Sequence, residues 1–220
     1  MAEKQGILLE GAEALGLTLG AVEKELFEIY TRELMDWSRR INLTGHRKRE
    51  DIEIHHFLDS LSLFQTGRIT PGLSVLDVGS GAGLPGLPLK IVEPALRLVL
   101  LDASQKRSVF LRHMIRTLSL KGAEVATMRA DEYGKGIEAG FDRILCRAVS
   151  SIDKVCHWTA HLLRKDGIYL FQKSRSVNEE LRRIEKGLLC LGLRVGEVAP
   201  LKVPFLHHTR NVVIVEKIKK

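Results

Sequence analysis

The stretch Val75-Leu76-Asp77-Val78-Gly79-Ser80-Gly81-Ala82-Gly83-Leu84-Pro85-Gly86 limits what this chain can fold into more than any other. An apolar run of strand character ends in a carboxylate, turns through glycines and opens a helix. Glycine tolerates the left-handed backbone of a tight turn and lets a ligand approach bare peptide, and a helix start leaves N–H donors for that ligand. Pro85 suits the first helical turn, where its missing N–H costs nothing. Gly81, Gly83 and Gly86 also satisfy G-x-G-x-x-G, the dinucleotide fingerprint, so the glycines alone leave the cofactor open.

Periodicity supplies the frame around this loop. Apolar residues recur at helical spacing over Ala21–Trp37 (Val22, Leu26, Ile29, Tyr30, Leu34, Trp37) and again from about Glu50 to Gln65, with a basic connection over residues 39–49 between them. After Pro71-Gly72, strand runs over Ser74–Val78, Arg97–Asp102, Ala123–Met128, Asp142–Arg147 and Gly167–Gln172 alternate with helices over Leu84–Val92, Gln105–Leu120, Ser151–Leu163 and Asn178–Leu191. Such alternation predicts a parallel sheet covered on both faces. Leu193–Ala199 and Thr209–Glu216 are joined by a short loop with Pro200 and Pro204 and no helix, so they should pair antiparallel at the sheet edge. The expected fold is therefore a doubly wound, Rossmann-like α/β domain of seven strands. It spans residues 1–220, with residues 1–68 as a helical extension and 69–220 as the cofactor-binding core.

Three carboxylates choose between cofactors. Asp77, at the first strand's end, suits a cationic amino-acid moiety and sits poorly beside a pyrophosphate. Asp102 ends the second strand, where a carboxylate accepts ribose hydroxyls, a feature shared with NAD binders. Asp131, in Arg129-Ala130-Asp131 after the third strand, is placed to accept from an adenine amino group. With the antiparallel edge pair, these favour S-adenosylmethionine over NAD.

Net charge bears on partners and not on fold. At +7 the chain is drawn to polyanions such as RNA. Its 220 residues, 45% of them apolar, suffice for one large core without metals or disulfides. Three cysteines without C-x-x-C spacing read as reduced thiols of a cytoplasmic protein, and the polar start gives no expectation of a signal peptide or membrane span.

The glycine loop, with Leu101-Asp102-Ala103-Ser104-Gln105-Lys106-Arg107, Ile41-Asn42-Leu43-Thr44 and His56-Phe57-Leu58-Asp59-Ser60, resembles the RsmG (GidB) family. The resemblance implies a class I methyltransferase fold, S-adenosyl-L-methionine as cofactor, and methylation of N7 of a guanine in bacterial small-subunit (16S) ribosomal RNA. It implies cofactor contacts at Gly79, Leu84, Ala130, Asp131 and Arg147, beside the glycines Gly81 and Gly83 and the carboxylates Asp77 and Asp102. It places Lys106, Arg107, Arg129, Arg147 and Lys173 around the site. Two departures stand out: His55 replaces the commoner arginine before His56, and Gln172-Lys173-Ser174 replaces Leu-Lys-Gly.

N7 of guanine presents a lone pair and no proton, so its methylation needs positioning and desolvation without a general base. Arg147 and Lys173, at the ends of the fourth and fifth strands, are the candidates for positioning or catalysis. Arg39, Arg40, Arg47, Lys48, Arg49, Lys106, Arg107, Arg129, Lys173, Arg175 and Arg210 are candidates for RNA contact. His157 and His161 lack a third ligand, so no metal is expected, and Cys146 lacks the motif of a covalent methyltransferase. A monomer is expected. Two other classes share parts of the pattern: a nicotinamide-dependent oxidoreductase, and a non-catalytic RNA-binding or assembly protein on a methyltransferase fold.

Overall fold

The computed structural model describes residues 6–135, 140–147, 150–173 and 177–218. Its sheet has seven strands: β1 (Ser74–Val78), β2 (Arg97–Leu101), β3 (Ala123–Ala126), β4 (Phe141–Arg147), β5 (Leu163–Lys173), β6 (Leu193–Leu201) and β7 (Arg210–Lys217). They lie in the order β3-β2-β1-β4-β5-β7-β6, with β7 antiparallel to both neighbours and the first five parallel. The expected antiparallel pair is present at the edge, and β7 sits inside β6. The order reverses between β1 and β4, and at such a switch point the strand ends splay into a crevice that receives ligands.

Alternation along the strands makes two cores. Val75, Leu98, Leu100, Leu145, Leu170, Val212 and Ile214 face one layer of helices; Leu76, Val99, Leu101, Ile144, Tyr169, Phe171 and Val213 face the other. Near-continuous apolar strands are what burial on both faces demands. The first layer holds the N-terminal helices α1 (Ile7–Ala14) and α2 (Ala21–Trp37), with α5 (Gly86–Val92) and α6 (Gln105–Thr117). The second holds α7 (Ile152–Thr159) and α8 (Asn178–Cys190).

Two local expectations are corrected, and one helix is added. The helix read from Glu50 to Gln65 is a composite: α3 (Arg49–Ile52), a π-helical segment (Glu53–Leu58), α4 (Asp59–Leu61) and a 3-10 turn (Ser62–Thr66). A π segment inserts a residue and rotates the downstream turns, so Phe57, Leu58 and Leu61 stay in the core while His55, His56 and Asp59 reach the crevice. The helix before β5 stops at Thr159, because Leu163 already pairs with Phe141. Helix α1 gave no sequence signal: eight residues are too few for a periodic pattern, and it forms by packing, with Gly11 directly against Leu58.

The stripe of α2 is turned slightly from the one read in the sequence. Val22 is exposed, and Phe27 joins Tyr30 and Leu34 in the core. Tyr30 carries the most consequence: its hydroxyl donates to the Ala82 carbonyl at 2.5 Å, tying the N-terminal extension to the glycine loop. Removal of this donor in Tyr30→Phe leaves a buried carbonyl unpaired. It should cost on the order of 1–3 kcal/mol in a denaturant titration, with a matching loss of S-adenosylhomocysteine affinity in calorimetry.

Candidate active site

The loop between β1 and α5 makes its own turn with positive φ at Gly79, Gly81 and Gly83. Its amides are nearly all spent inside the protein. Those of Gly79 and Ser80 donate to the Leu101 carbonyl, and those of Gly83 and Leu84 to Ser80. Gly81 donates to Asp102 Oδ2 at 2.9 Å and Gly86 to Asp77 Oδ2 at 3.0 Å. The expectation of N–H donors waiting for a ligand is thereby corrected, because strand-end carboxylates and carbonyls take them first. A pyrophosphate needs those donors, whereas a sulfonium nucleoside needs close approach to uncharged backbone. The loop offers that approach: a Cβ on Gly81 would meet only the Gly79 carbonyl within 4 Å, at 3.8 Å.

Two cavities meet at Gly79. The smaller, about 170 Å³, opens over Asp102, Met128, Ala130, Asp131 and Trp158, so it has the carboxylate and flat apolar surfaces that an adenosine requires. Asp102 is buried, and its Oδ1 accepts from Ser104 N–H at 2.8 Å and Arg107 Nε at 3.0 Å. Asp131 is held bidentately by Arg129 at 3.0 Å, and that pairing lowers its pKa. Arg107 and Arg129 are thus both engaged at the smaller cavity.

Asp77 does not line either cavity. The carboxylate lies fully buried beneath the loop, where Gly86 lets it approach; a Cβ there would come within 2.8 Å of Asp77 Oδ2. The sequence placed it against the cofactor's amino-acid end, but the structure makes it a prop for the loop. Burial pushes its pKa up to about 7, against the opposing pull of the Gly86 amide and Arg147.

The larger cavity, about 520 Å³, runs from Gly79 and Leu84 to a wall of Arg147, Arg210 and Lys173, with Thr44, His55 and His56 opposite. Arg147, at the end of β4, donates through Nη1 to Asp59 Oδ2 at 2.9 Å and to the His55 carbonyl at 3.1 Å. Arg210, opening β7, donates through Nε to Asp59 Oδ1 at 2.9 Å. Lys173 pairs with Glu180 at 3.0 Å. His56 sits 2.6 Å from the Thr44 hydroxyl, and burial, reinforced by the Arg147 charge, lowers its pKa to about 3. His55 is lowered too, first by burial.

The structure therefore brings Gly79, Leu84, Arg147, Lys173 and Arg210 to one cavity and Asp102, Ala130, Asp131, Arg107 and Arg129 to the other. Lys106 is exposed at the start of α6, with no ion-pair partner among the described residues. In the basic connection, Arg39 pairs with Asp36, and Arg49 pairs with Glu28 and Glu53, away from the crevice. Arg47 donates to the Ser38 carbonyl at 2.9 Å, and Arg175 lies outside the described residues. The roles of Thr44, His55, His56, Asp59 and Gln172 escaped sequence reasoning. The signal for Asp59 was legible: a carboxylate and a serine interrupt an apolar helical stripe between Leu58 and Leu61. His46 and His55 stack at 4.5 Å, and with Asp51 they bring ligand atoms within 4.8 Å of one another, whereas the sequence had weighed His157 and His161.

A switch-point crevice, a glycine loop with spent amides and a strand-end carboxylate over a nucleoside-sized recess define an S-adenosylmethionine-dependent methyltransferase. The comparisons agree in class. Residues 23–213 match the family model GidB, described as rRNA small subunit methyltransferase G, and the chain belongs to that family. Relatives named ribosomal RNA small subunit methyltransferase G include one from Thermoanaerobacter pseudethanolicus, 36% identical over 96% of this chain and 89% of its own. Another, from Dehalococcoides mccartyi, is 38% identical over 96% and 90%. Solved structures share the fold. Precorrin-6y C5,15-methyltransferase of Geobacter metallireducens superposes with a TM-score of 0.57 at 15% identity, covering 80% of this chain and 91% of its own. M. jannaschii TYW2 in complex with AdoMet gives 0.56 at 15% identity, over 73% and 77%.

Asp77 gives a pH test. In the folded chain it keeps its proton up to about pH 7, whereas an ordinary aspartyl carboxyl releases it at about 3.8. Between those values the folded state binds more protons, so this group makes stability fall as pH rises. The stability of Asp77→Asn relative to the wild type should therefore increase from pH 4 to about pH 7 in parallel denaturant titrations. A constant difference would show that the carboxyl is ionised throughout. Gly79→Asp, which forces a side chain and a charge into the junction of the two cavities, should abolish S-adenosylhomocysteine binding by calorimetry.

Proposed function

We propose that this enzyme methylates N7 of a guanine in small-subunit ribosomal RNA, acting as a cytoplasmic monomer in which residues 1–68 and 69–220 form one methyltransferase domain. The observation that carries the N7 reading is a cationic wall whose own acid, lysine and buried histidine are poor bases, His46 and His55 being the other imidazoles of the cavity. His56 is neutral and weakly basic, with a pKa of about 3, Asp59 is shared by two arginines, and Lys173 is paired with Glu180. An exocyclic amine or a hydroxyl loses a proton on methylation and needs an acceptor. N7 needs neither base nor metal, and this wall suits it.

S-adenosylmethionine, when bound, supplies an electrophilic methyl group. The recess over Asp102, Ala130, Asp131 and Trp158 would hold the adenosine, with Asp102 accepting from the ribose. The bare turn at Gly79 and Gly81 would let the reacting centre lie close against backbone, facing the larger cavity. There Arg147 would orient the base by donating to guanine O6, leaving the N7 lone pair free to attack the methyl group. The half-buried wall excludes water from the approach, so that alignment and desolvation supply most of the acceleration. N7 lies deep in the major groove of an RNA helix, so the target base must be exposed or splayed out. Lys106, Arg210 and the basic connection at Arg47 and Lys48 would meet the flanking phosphates.

Transfer of a labelled methyl group to small-subunit RNA, followed by mass mapping of the modified nucleotide, tests this directly. The expected product is 7-methylguanosine; no incorporation into naked RNA or assembled particles would sink the reading. Lys106→Ala should lower RNA affinity severalfold while leaving S-adenosylhomocysteine affinity within about twofold, since a phosphate contact adds to binding without touching the cofactor recess. An equal loss of both would place Lys106 elsewhere.

A further inference from the structure

We infer that Asp59 is a positioning residue for the reaction: one buried carboxylate that fixes Arg147 and Arg210 as a matched pair on the cavity wall. The inference rests on the substrate reading above and names the group that makes its arginines work together. Asp59 is 2% exposed and divides its oxygens, Oδ2 to Arg147 and Oδ1 to Arg210, both at 2.9 Å. Its backbone carbonyl accepts from Gln172 Nε2 at 2.8 Å. Arg147 and Gln172 are register partners on β4 and β5, and β7, which opens with Arg210, pairs beside β5. Three adjacent strands thus converge on a single residue of the N-terminal extension.

The charge arithmetic explains why one carboxylate matters. Two guanidiniums held a few ångströms apart repel, and each long side chain would otherwise spread over several rotamers. Asp59 occupies Nη1 of Arg147 and Nε of Arg210. Nε and Nη2 of Arg147, and both Nη groups of Arg210, have no hydrogen-bond partner among the described residues. Both arginines line the cavity and are mostly buried, with 18% and 16% of their side chains exposed. Those remaining donors are held in one arrangement that suits guanine O6 and a neighbouring phosphate, with N7 left free. The wall keeps a net charge of one from the three groups, enough to attract RNA without gripping it indiscriminately.

This role predicts a split that a merely structural residue would not give. In Asp59→Asn the wall gains a positive charge and loses its alignment. The kcat for RNA methylation should fall about tenfold or more, as misplacement of a positioning group does. KM for RNA should stay level or drop, and S-adenosylhomocysteine affinity should stay within about threefold. Arg210→Lys keeps the charge but replaces a rigid planar fork with a compact, freely rotating ammonium that cannot hold its donors in the guanidinium's arrangement. It should lower kcat, and the double variant should be no slower than Asp59→Asn alone. If Asp59→Asn loses cofactor binding through misfolding, Arg210→Lys carries the test by the same kcat criterion. An Asp59→Asn enzyme with kcat within threefold of wild type, or a rise in KM at unchanged kcat, would overturn the inference alone. A wild-type chain that transfers nothing to ribosomal RNA would overturn the substrate reading and this inference with it.

Discussion

Backbone donors in a tight glycine turn must be paired, and this structure depends on how that demand is met. The Leu101 carbonyl and the carboxylates of Asp77 and Asp102 take the amides of Gly79, Ser80, Gly81 and Gly86, so the turn is finished before any ligand arrives. What remains for a ligand is exposed backbone without charge, since both oxygens of Asp102 already accept hydrogen bonds, Oδ2 from Gly81 and Oδ1 from Ser104 and Arg107. A loop with spent donors receives a cationic sulfonium nucleoside more readily than a dianionic pyrophosphate. The distinction between two cofactors that share one fingerprint thus reduces to where the hydrogen bonds go.

The same turn links the two halves of the chain. Tyr30 binds its outer carbonyl from α2, while Asp59 collects the ends of β4, β5 and β7 from the opposite side. The helical extension is therefore one wall of the larger cavity as well as a cover for the sheet. Its π segment matters for a mechanical reason: without the extra residue, the apolar and polar faces after Glu53 could not point to core and cavity together.

Much of this was legible in the amino-acid order. The strand and helix alternation, the edge pair and the glycine turn are local signals, and Ser74–Val78 and Ala21–Trp37 have the bounds that periodicity gave them. Asp102 fell where its strand end predicted. Asp77 occupies its expected position in the chain, and its carboxylate is buried against the Gly86 amide, because position along a strand does not say whether a carboxylate points up into a crevice or down into a helix start. Lys173, Arg107 and Arg129 were legible as charges, as were Asp102 and Asp131, but their pairings were not, and Lys173 finds Glu180 only through the packing of α8 on the sheet.

The sequence by itself determined the class of fold, the glycine turn at the switch point and the cationic character of the chain, because those depend on period, backbone freedom and charge count. Tertiary structure alone decided which arginines share one carboxylate, which histidine is stripped of its basicity and which acid supports the loop. Each of those outcomes depends on burial and on partners 9 to 151 residues away, and no local pattern carries that information.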